Sequence, residues 1–255
     1  MEKTIITVLG CGSSGGVPSI EYGYGDCDAN NPKNNRTRPS IFVEQGQKRL
    51  LIDVSPEFRL QAINNKIPVF ENVLFTHEHI DHTGGVPDLR DVISMAGKPL
   101  NLFGKDRTVE AVERIFPFAF QSRTGSRKLN SYAIWSGRKF QIGGFEIIPT
   151  EMDHGSSITS LGYRFNDFAY TTDVKRLSDV NKGIINGVKV WIISCLSDKD
   201  SDYHAPLHEV LGWIEELKPE RAYLTHMRGD MDYERLKAKL PSHVEPCYDG
   251  LKIEV

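Results

Sequence analysis

At 255 residues, with 39% apolar and 25% charged side chains, the chain has the composition of an ordinary soluble protein and the length for one α/β domain with a full core. A net charge of −3 and a pI near 6.3 argue against a surface that seeks nucleic acid. No apolar stretch reaches the ~20 residues that a bilayer span requires, so no membrane partner is expected. Cys11, Cys27, Cys195 and Cys247 are too scattered for a disulfide framework and read as reduced thiols of a cytoplasmic protein.

Thr4 to Leu9 alternates β-branched and apolar residues and predicts a strand, not a secretory signal. It runs into Gly10-Cys11-Gly12-Ser13-Ser14-Gly15-Gly16, which formally contains G-x-G-x-x-G. A dinucleotide fold needs a helix to start at the third glycine; Val17-Pro18-Ser19-Ile20 and the glycines that follow offer none. The loop reads better as a close backbone approach to a metal site or a phosphate. Residues 26–38 are polar and predict a surface loop, where Arg36 or Arg38 either attracts an anionic substrate or is merely solvated.

Strands are expected over Ser40–Glu44, Arg49–Asp53 and Val73–Phe75, with a helix from Pro56 that buries Phe58, Leu60 and Ile63 and takes Ser55 as its N-cap. Val86–Ser94 and Asp106–Phe116 read as helices, with a strand at Leu100–Phe103 between them. Residues 117–130 mix aromatics, breakers and positive charge, and predict a lid, the contact of a homodimer, or a plain irregular connection. Next comes a β-rich patch over Tyr132–Trp135, Lys139–Ile142, Phe145–Pro149, Ile158–Phe165 and Phe168–Thr172. Helices at Leu177–Ile185, Pro206–Leu217 and Met231–Leu240 then alternate with strands at Val188–Ser194 and Arg221–Thr225. No linker and no internal repeat is visible, so residues 1–255 are expected to form one domain.

The chemistry concentrates in Thr76-His77-Glu78-His79-Ile80-Asp81-His82, directly after an apolar strand. Imidazole and carboxylate donors suit borderline divalent ions, and the H-x-H-x-D-H spacing reads as half of a two-metal hydrolytic centre. Three further donors sit where an apolar strand gives out: His154, Asp173 and His226. Such ends collect at one rim of a sheet sandwich. His77, His79 and His154 are therefore expected to hold one ion and Asp81, His82 and His226 the other, with Asp173 bridging. Asp53, at another strand end, is either a group that orients a ligand imidazole or a helix-entry carboxylate.

The T-H-E-H-I-D-H run, the lone His154, the strand-end Thr172-Asp173 and the strand-end Thr225-His226 together resemble the metallo-β-lactamase superfamily. The opening Leu9-Gly10-Cys11-Gly12-Ser13-Ser14-Gly15-Gly16-Val17-Pro18 is similar to its PhnP-type cyclic phosphodiesterase branch, whose relatives include the tRNase Z nucleases. The likeness runs to Tyr248-Asp249-Gly250. It implies an α/β fold, a four-layer αββα sandwich, and two divalent metal ions, zinc or manganese with iron also compatible. It also implies hydrolysis of a small or cyclic phosphodiester by a hydroxide bridging the ions. Asp81 and His204 are assigned to the reaction itself, His204 because H-x-x-L-x-x-x-L falls on His204, Leu207 and Leu211; His208 is read as structural. With only Cys27 in the corresponding loop, no separate cysteine-bound zinc is expected. Neither the basic arm of the tRNase Z enzymes nor the helical substrate domain of glyoxalase II has a counterpart. The alternatives are a thioester or lactone hydrolase on the same centre, a tRNase Z-like nuclease, and a noncatalytic binding module.

Overall fold

The computed structural model describes residues 2–121 and 125–255. Two seven-stranded mixed sheets carry the described chain. The first comprises β1 (Ile5–Gly10), β2 (Ser40–Gln45), β3 (Lys48–Ile52), β4 (Asn72–Leu74), β5 (Leu100–Gly104), β6 (Leu129–Ala133) and β14 (Lys252–Glu254), in the order β14-β1-β2-β3-β4-β5-β6. The second comprises β7 (Phe140–Ile142), β8 (Phe145–Asp153), β9 (Thr159–Phe165), β10 (Phe168–Thr171), β11 (Val190–Ser194), β12 (Arg221–Thr225) and β13 (Val244–Pro246), ordered β13-β12-β11-β10-β9-β8-β7.

These strands are nearly continuous apolar runs because both faces are covered. In β2, Ile41 and Val43 join the cluster shared by the two sheets with Leu50, Ile52, Leu161 and Tyr163. Phe42, pointing the other way, joins Leu51, Phe58, Leu89 and Val112. The latter cluster lies under α1 (Phe58–Asn65), α3 (Leu89–Ala96) and α4 (Asp106–Ile115). On the second sheet, α6 (Asp179–Ile185) and α7 (Leu207–Leu217) bury Ile185, Val210 and Ile214. The layers are helix, sheet, sheet, helix, as the family resemblance implied.

The two sheets repeat one pairing scheme, three antiparallel neighbours followed by three parallel ones. The repeat extends to side chains. Ser40 Oγ donates to the carbonyls of Ile52 and Asp53 at 3.2 and 2.9 Å, and Ser160 Oγ donates to those of Thr172 and Asp173 at 3.1 Å each. The sequence shows no repeat because burial and pairing, not residue identity, define this one.

Several boundaries move, each for a tertiary reason. Ser55 does not cap α1; its hydroxyl donates to Gln61 Oε1, while Gln61 Nε2 donates to Thr37 Oγ1 and the Arg38 carbonyl. Gln61 is buried, and Leu60 and Ile63 face solvent, so the expected apolar face is wrong. The Val86–Ser94 segment divides after Asp88 into a 3-10 turn (Val86–Asp88) and α3. The strand placed at Tyr132–Trp135 is Leu129–Ala133, set by its parallel register with β5. β8 runs past Pro149, which lies beyond the reach of short β7 and so costs no ladder bond. The helix expected over Met231–Leu240 is confined to α8 (Tyr233–Lys237), where the Asp232 side chain caps Arg235 N. The lid or subunit contact expected over 117–130 falls partly on residues 122–124, outside the described residues; Pro117–Phe120 form α5.

Arg36 does not reach out to an anion. It is buried, donating to the carbonyls of Met231 at 2.6 Å and Arg228 at 3.3 Å and to Asn34 Oδ1 at 3.2 Å. Gly10, which ends β1, and Gly12 serve close approach to the chain at residues 36–38, not to the metal site or phosphate expected: a Cβ on Gly10 would sit 2.1 Å from the Arg38 carbonyl, and one on Gly12 2.6 Å from that of Arg36. Among the described residues no helix is long and apolar enough to cross a membrane.

Two bonds tie the sheets together at the rim that follows β4. Leu161 N donates to the Thr76 carbonyl at 2.7 Å, and Tyr163 Oη donates to the Phe75 carbonyl at 2.5 Å. Tyr163→Phe should leave that buried carbonyl short of a donor and cost about 1–2 kcal/mol in urea unfolding, with the denaturant slope unchanged. A cost below a few tenths would show that the bond contributes nothing.

Candidate metal centre

His77 and His79 follow β4 in extended backbone, and α2 (Ile80–Thr83) then turns Asp81 and His82 inward. His154 stands at the β8–β9 turn, Asp173 beyond β10, and His226 beyond β12. Donor atoms of His77, His79 and His154 lie within 4.8 Å of one another, as do those of Asp81, His82 and His226. Asp173 forms further sets with His77 and His82 and with His154 and His204. All the side chains singled out from sequence therefore converge, His204 included.

Hydrogen bonds select which imidazole nitrogen faces the cluster. Thr76 Oγ1 donates to Asp53 Oδ2 at 2.9 Å and lies 3.0 Å from His77 Nδ1. With its single proton committed to Asp53, that hydroxyl can only accept from His77, which leaves the His77 Nε2 lone pair aimed inward. Asp53 Oδ2 also lies 2.7 Å from His82 Nδ1, and Asp53 Oδ1 accepts from Thr76 N at 2.8 Å. Asp53 is thus the group that orients a ligand imidazole, not a helix-entry carboxylate. His154 Nδ1 is held by the Tyr203 carbonyl at 3.0 Å. The Nε2 atoms of His77, His82 and His226 are buried without a hydrogen-bond partner among the described residues, an arrangement that costs free energy unless a cation takes them up.

The carboxylates complete the donor set. Asp173 Oδ2 lies 3.2 Å from His82 Nε2, while Asp173 Oδ1 lies 3.3 Å from His226 Nε2 and 3.5 Å from His154 Nε2. Asp81 Oδ2 is 3.3 Å from His82 Nε2 and 3.5 Å from His226 Nε2. Burial alone would raise both acids, but the surrounding imidazoles outweigh it and hold Asp81 and Asp173 below the ordinary carboxylate range. Burial disfavours charge on His82 too, yet Asp81, Asp173 and Asp53 pull its imidazole well above its usual value, and Asp173 and Asp81 raise His226 likewise. The cluster is built around positive charge. Its donor chemistry fits divalent ions.

Asp53, Asp173 and His226 also share a backbone signal that no residue pattern announces. Each follows a strand with φ of 61°, 56° and 61°, in the left-handed region. For residues other than glycine this costs on the order of 1–3 kcal/mol and persists only where the surroundings enforce it.

His204 is buried between the rings of His154 and His226, at centroid distances of 4.9 and 5.0 Å, with Nε2 3.9 Å from Asp173 Oδ1. His208 is exposed on α7. Glu78 turns away to Arg107 and Thr108 Oγ1. The four cysteines are buried and unpaired. Beside the cluster, at the same rim, a cavity of about 940 Å³ opens between the loop after β1 and the turn after His226, lined by Ser13, Gly16, Tyr22, Arg38, Lys199 and Arg228 among others. Sequence reasoning missed this cavity; the breaker-rich stretch after Gly16 was its only trace.

Fold and site together define a domain of the beta-lactamase type. Residues 48–227 match the model of the beta-lactamase superfamily domain, and the chain belongs to that superfamily. A crystal structure of a diphosphatase from the PhnP family superposes with a TM-score of 0.92 at 29% identity, covering 99% of this chain and 97% of that one. The short form of human tRNase Z superposes with a TM-score of 0.71 at 15% identity, covering 98% of each chain, and shows a shared fold. In sequence the chain is 28% identical over 251 residues to an octanoyltransferase of Porphyromonas gingivalis, covering 96% of this chain and 50% of that protein. It is 25% identical over 177 residues to a ribonuclease Z of Clostridium acetobutylicum, covering 65% of this chain and 54% of that one. The chain spans about half the length of these curated relatives.

Burial, followed by the nearby His226, pushes His204 down to about 3, whereas an unfolded histidine titrates near 6.5. Between those values the unfolded chain binds a proton that the folded chain does not, so this residue makes the metal-free protein lose stability as pH falls from about 6.5 toward 3. Urea unfolding of chelator-treated protein at pH 7 and pH 5 should show a smaller loss in His204→Gln than in the parent; equal losses would remove this assignment.

Proposed function

We propose that this protein hydrolyses a small or cyclic phosphoric diester at a two-metal centre. The observation that supports the reading most is the convergence of unpartnered imidazole nitrogens and two carboxylates from separate strand ends on one point. His77, His79 and His154 would hold one ion, Asp81, His82 and His226 a second, and Asp173 would serve both. Zinc and manganese suit this donor set, and iron is compatible. Such ions would acidify a water and screen the charge that grows on phosphoryl oxygens.

The protein's own groups supply the rest. Thr76, Asp53 and the Tyr203 carbonyl hold His77, His82 and His154 in the tautomer that presents Nε2. Asp81, a negative charge beside His82 and His226, favours positive charge at that end of the centre, which a bound cation would supply. His204 lies at the edge of this donor set, grouped with His154 and Asp173. It stands where a neutral ring N–H can hold a phosphoryl oxygen.

The likeness to the PhnP-family diphosphatase and to ribonuclease Z supports phosphorus chemistry. The likeness to an octanoyltransferase favours one second reading, hydrolysis of an acyl thioester at the same centre.

Elemental analysis combined with cyclic and linear phosphodiesters, lactones and an octanoyl thioester tests both readings. About two equivalents of metal and turnover of the phosphodiesters are expected; turnover of the thioester alone would replace the first reading with the second. His204→Ala should lower turnover of bis-p-nitrophenyl phosphate about 100-fold with metal content intact. Asp173→Asn should instead reduce the metal content itself.

A further inference from the structure

Three of the imidazoles are aimed by a bond to the ring: His77 by Thr76, His82 by Asp53 and His154 by the Tyr203 carbonyl. His226, like His79, has no such bond among the described residues. Neither of its ring nitrogens has a hydrogen-bond partner among the described residues, and its backbone sits at a φ of 61°. What holds it is the chain on either side. Cys195 N donates to the Thr225 carbonyl at 2.8 Å, Met227 N donates to the Cys11 carbonyl at 2.9 Å, and Ser13 N donates to the Met227 carbonyl at 3.0 Å.

Cys11 and Ser13 belong to the glycine loop after β1, and one carboxylate secures that loop. Asp249 Oδ1 accepts from Cys11 N at 3.1 Å and faces Cys11 Sγ at 3.5 Å. Asp249 Oδ2 accepts from Thr37 N at 2.7 Å and from Thr37 Oγ1 at 2.6 Å. Asp249 is itself fixed, because Cys247 N donates to the Leu224 carbonyl and Gly250 N to the Val8 carbonyl, both at 2.8 Å. The fit leaves no slack, since the loop glycines pack directly on the backbone of residues 36–38.

We infer that Asp249 is a positioning residue for His226. Acting through Cys11 and Met227, it keeps that imidazole within reach of Asp81 and Asp173, and so sets the affinity of the ion held by Asp81, His82 and His226. The His77–His79–His154 triad, in which His77 and His154 are oriented by their own bonds, does not depend on it. The inference rests on the two-metal reading above.

Calorimetric titration of the metal-free protein with zinc, and of a parallel sample with cobalt followed by visible absorption, separates the two. Asp249→Asn turns an amide N–H₂ toward one of its donors and breaks one arm of the clamp. The first equivalent should bind within about threefold of the parent, and the second about 10–100-fold more weakly. Thr37→Val, which removes one donor and disturbs the chain less, should shift the second equivalent in the same direction by less, and carries the test if Asp249→Asn does not fold. Unchanged affinity for the second equivalent, or equal weakening of both, would overturn the inference. A parent protein that binds fewer than two equivalents would overturn the metal-centre reading and this inference with it.

Discussion

The arrangement of the centre depends on one buried carboxylate that touches no substrate, Asp53. It accepts bonds from the backbone and hydroxyl of Thr76 and from His82 Nδ1. In doing so it fixes the first residue of the T-H-E-H-I-D-H run and the last. The hydroxyl bound to Asp53 can then only accept from His77, so a single carboxylate determines the tautomer of two imidazoles. A charge placed there is expensive unless it is compensated. Without other cations, raised proton affinity at His82 supplies the compensation; bound ions would supply it better.

The counterpart of Asp53 in the other sheet is Asp173. Both follow the fourth strand of an antiparallel run, both turn into the left-handed region, and at both a serine from the adjacent strand holds the turn. The fold therefore places two similar acids at the junction of two similar halves. Asp53 faces the back of an imidazole, whereas Asp173 faces the donors themselves. The tie between the sheets through Tyr163 and Leu161 keeps the halves in the register that brings them to one point. Strain at these strand ends is tolerated because bonded neighbours enforce it on both sides.

Much of this could be read from residues. The apolar runs located nearly every strand, because strands covered on both faces leave a signal that local sequence carries. The donors could be found because each ends such a run. Helix α1 shows the opposite case: its spacing promised Leu60 and Ile63 inside, yet Gln61 is the buried residue because the loop after β1 needs its amide. Arg36 read as a surface cation and proves to be an internal strut for the chain at Met231. In both cases the deciding partner lies far along the chain, where no local pattern points.

By itself the sequence determined which donor side chains gather at one rim and which segments become strands, because donor chemistry and alternation of burial are properties of residues and their neighbours. Only the tertiary structure decided how those groups are aimed: the choice of Nε2 by Asp53 and Thr76, the left-handed turns at Asp53, Asp173 and His226, and the clamp that runs from Asp249 to His226. Hydrogen bonds between residues up to 238 positions apart set those directions, and such bonds exist only once both sheets have closed on one another.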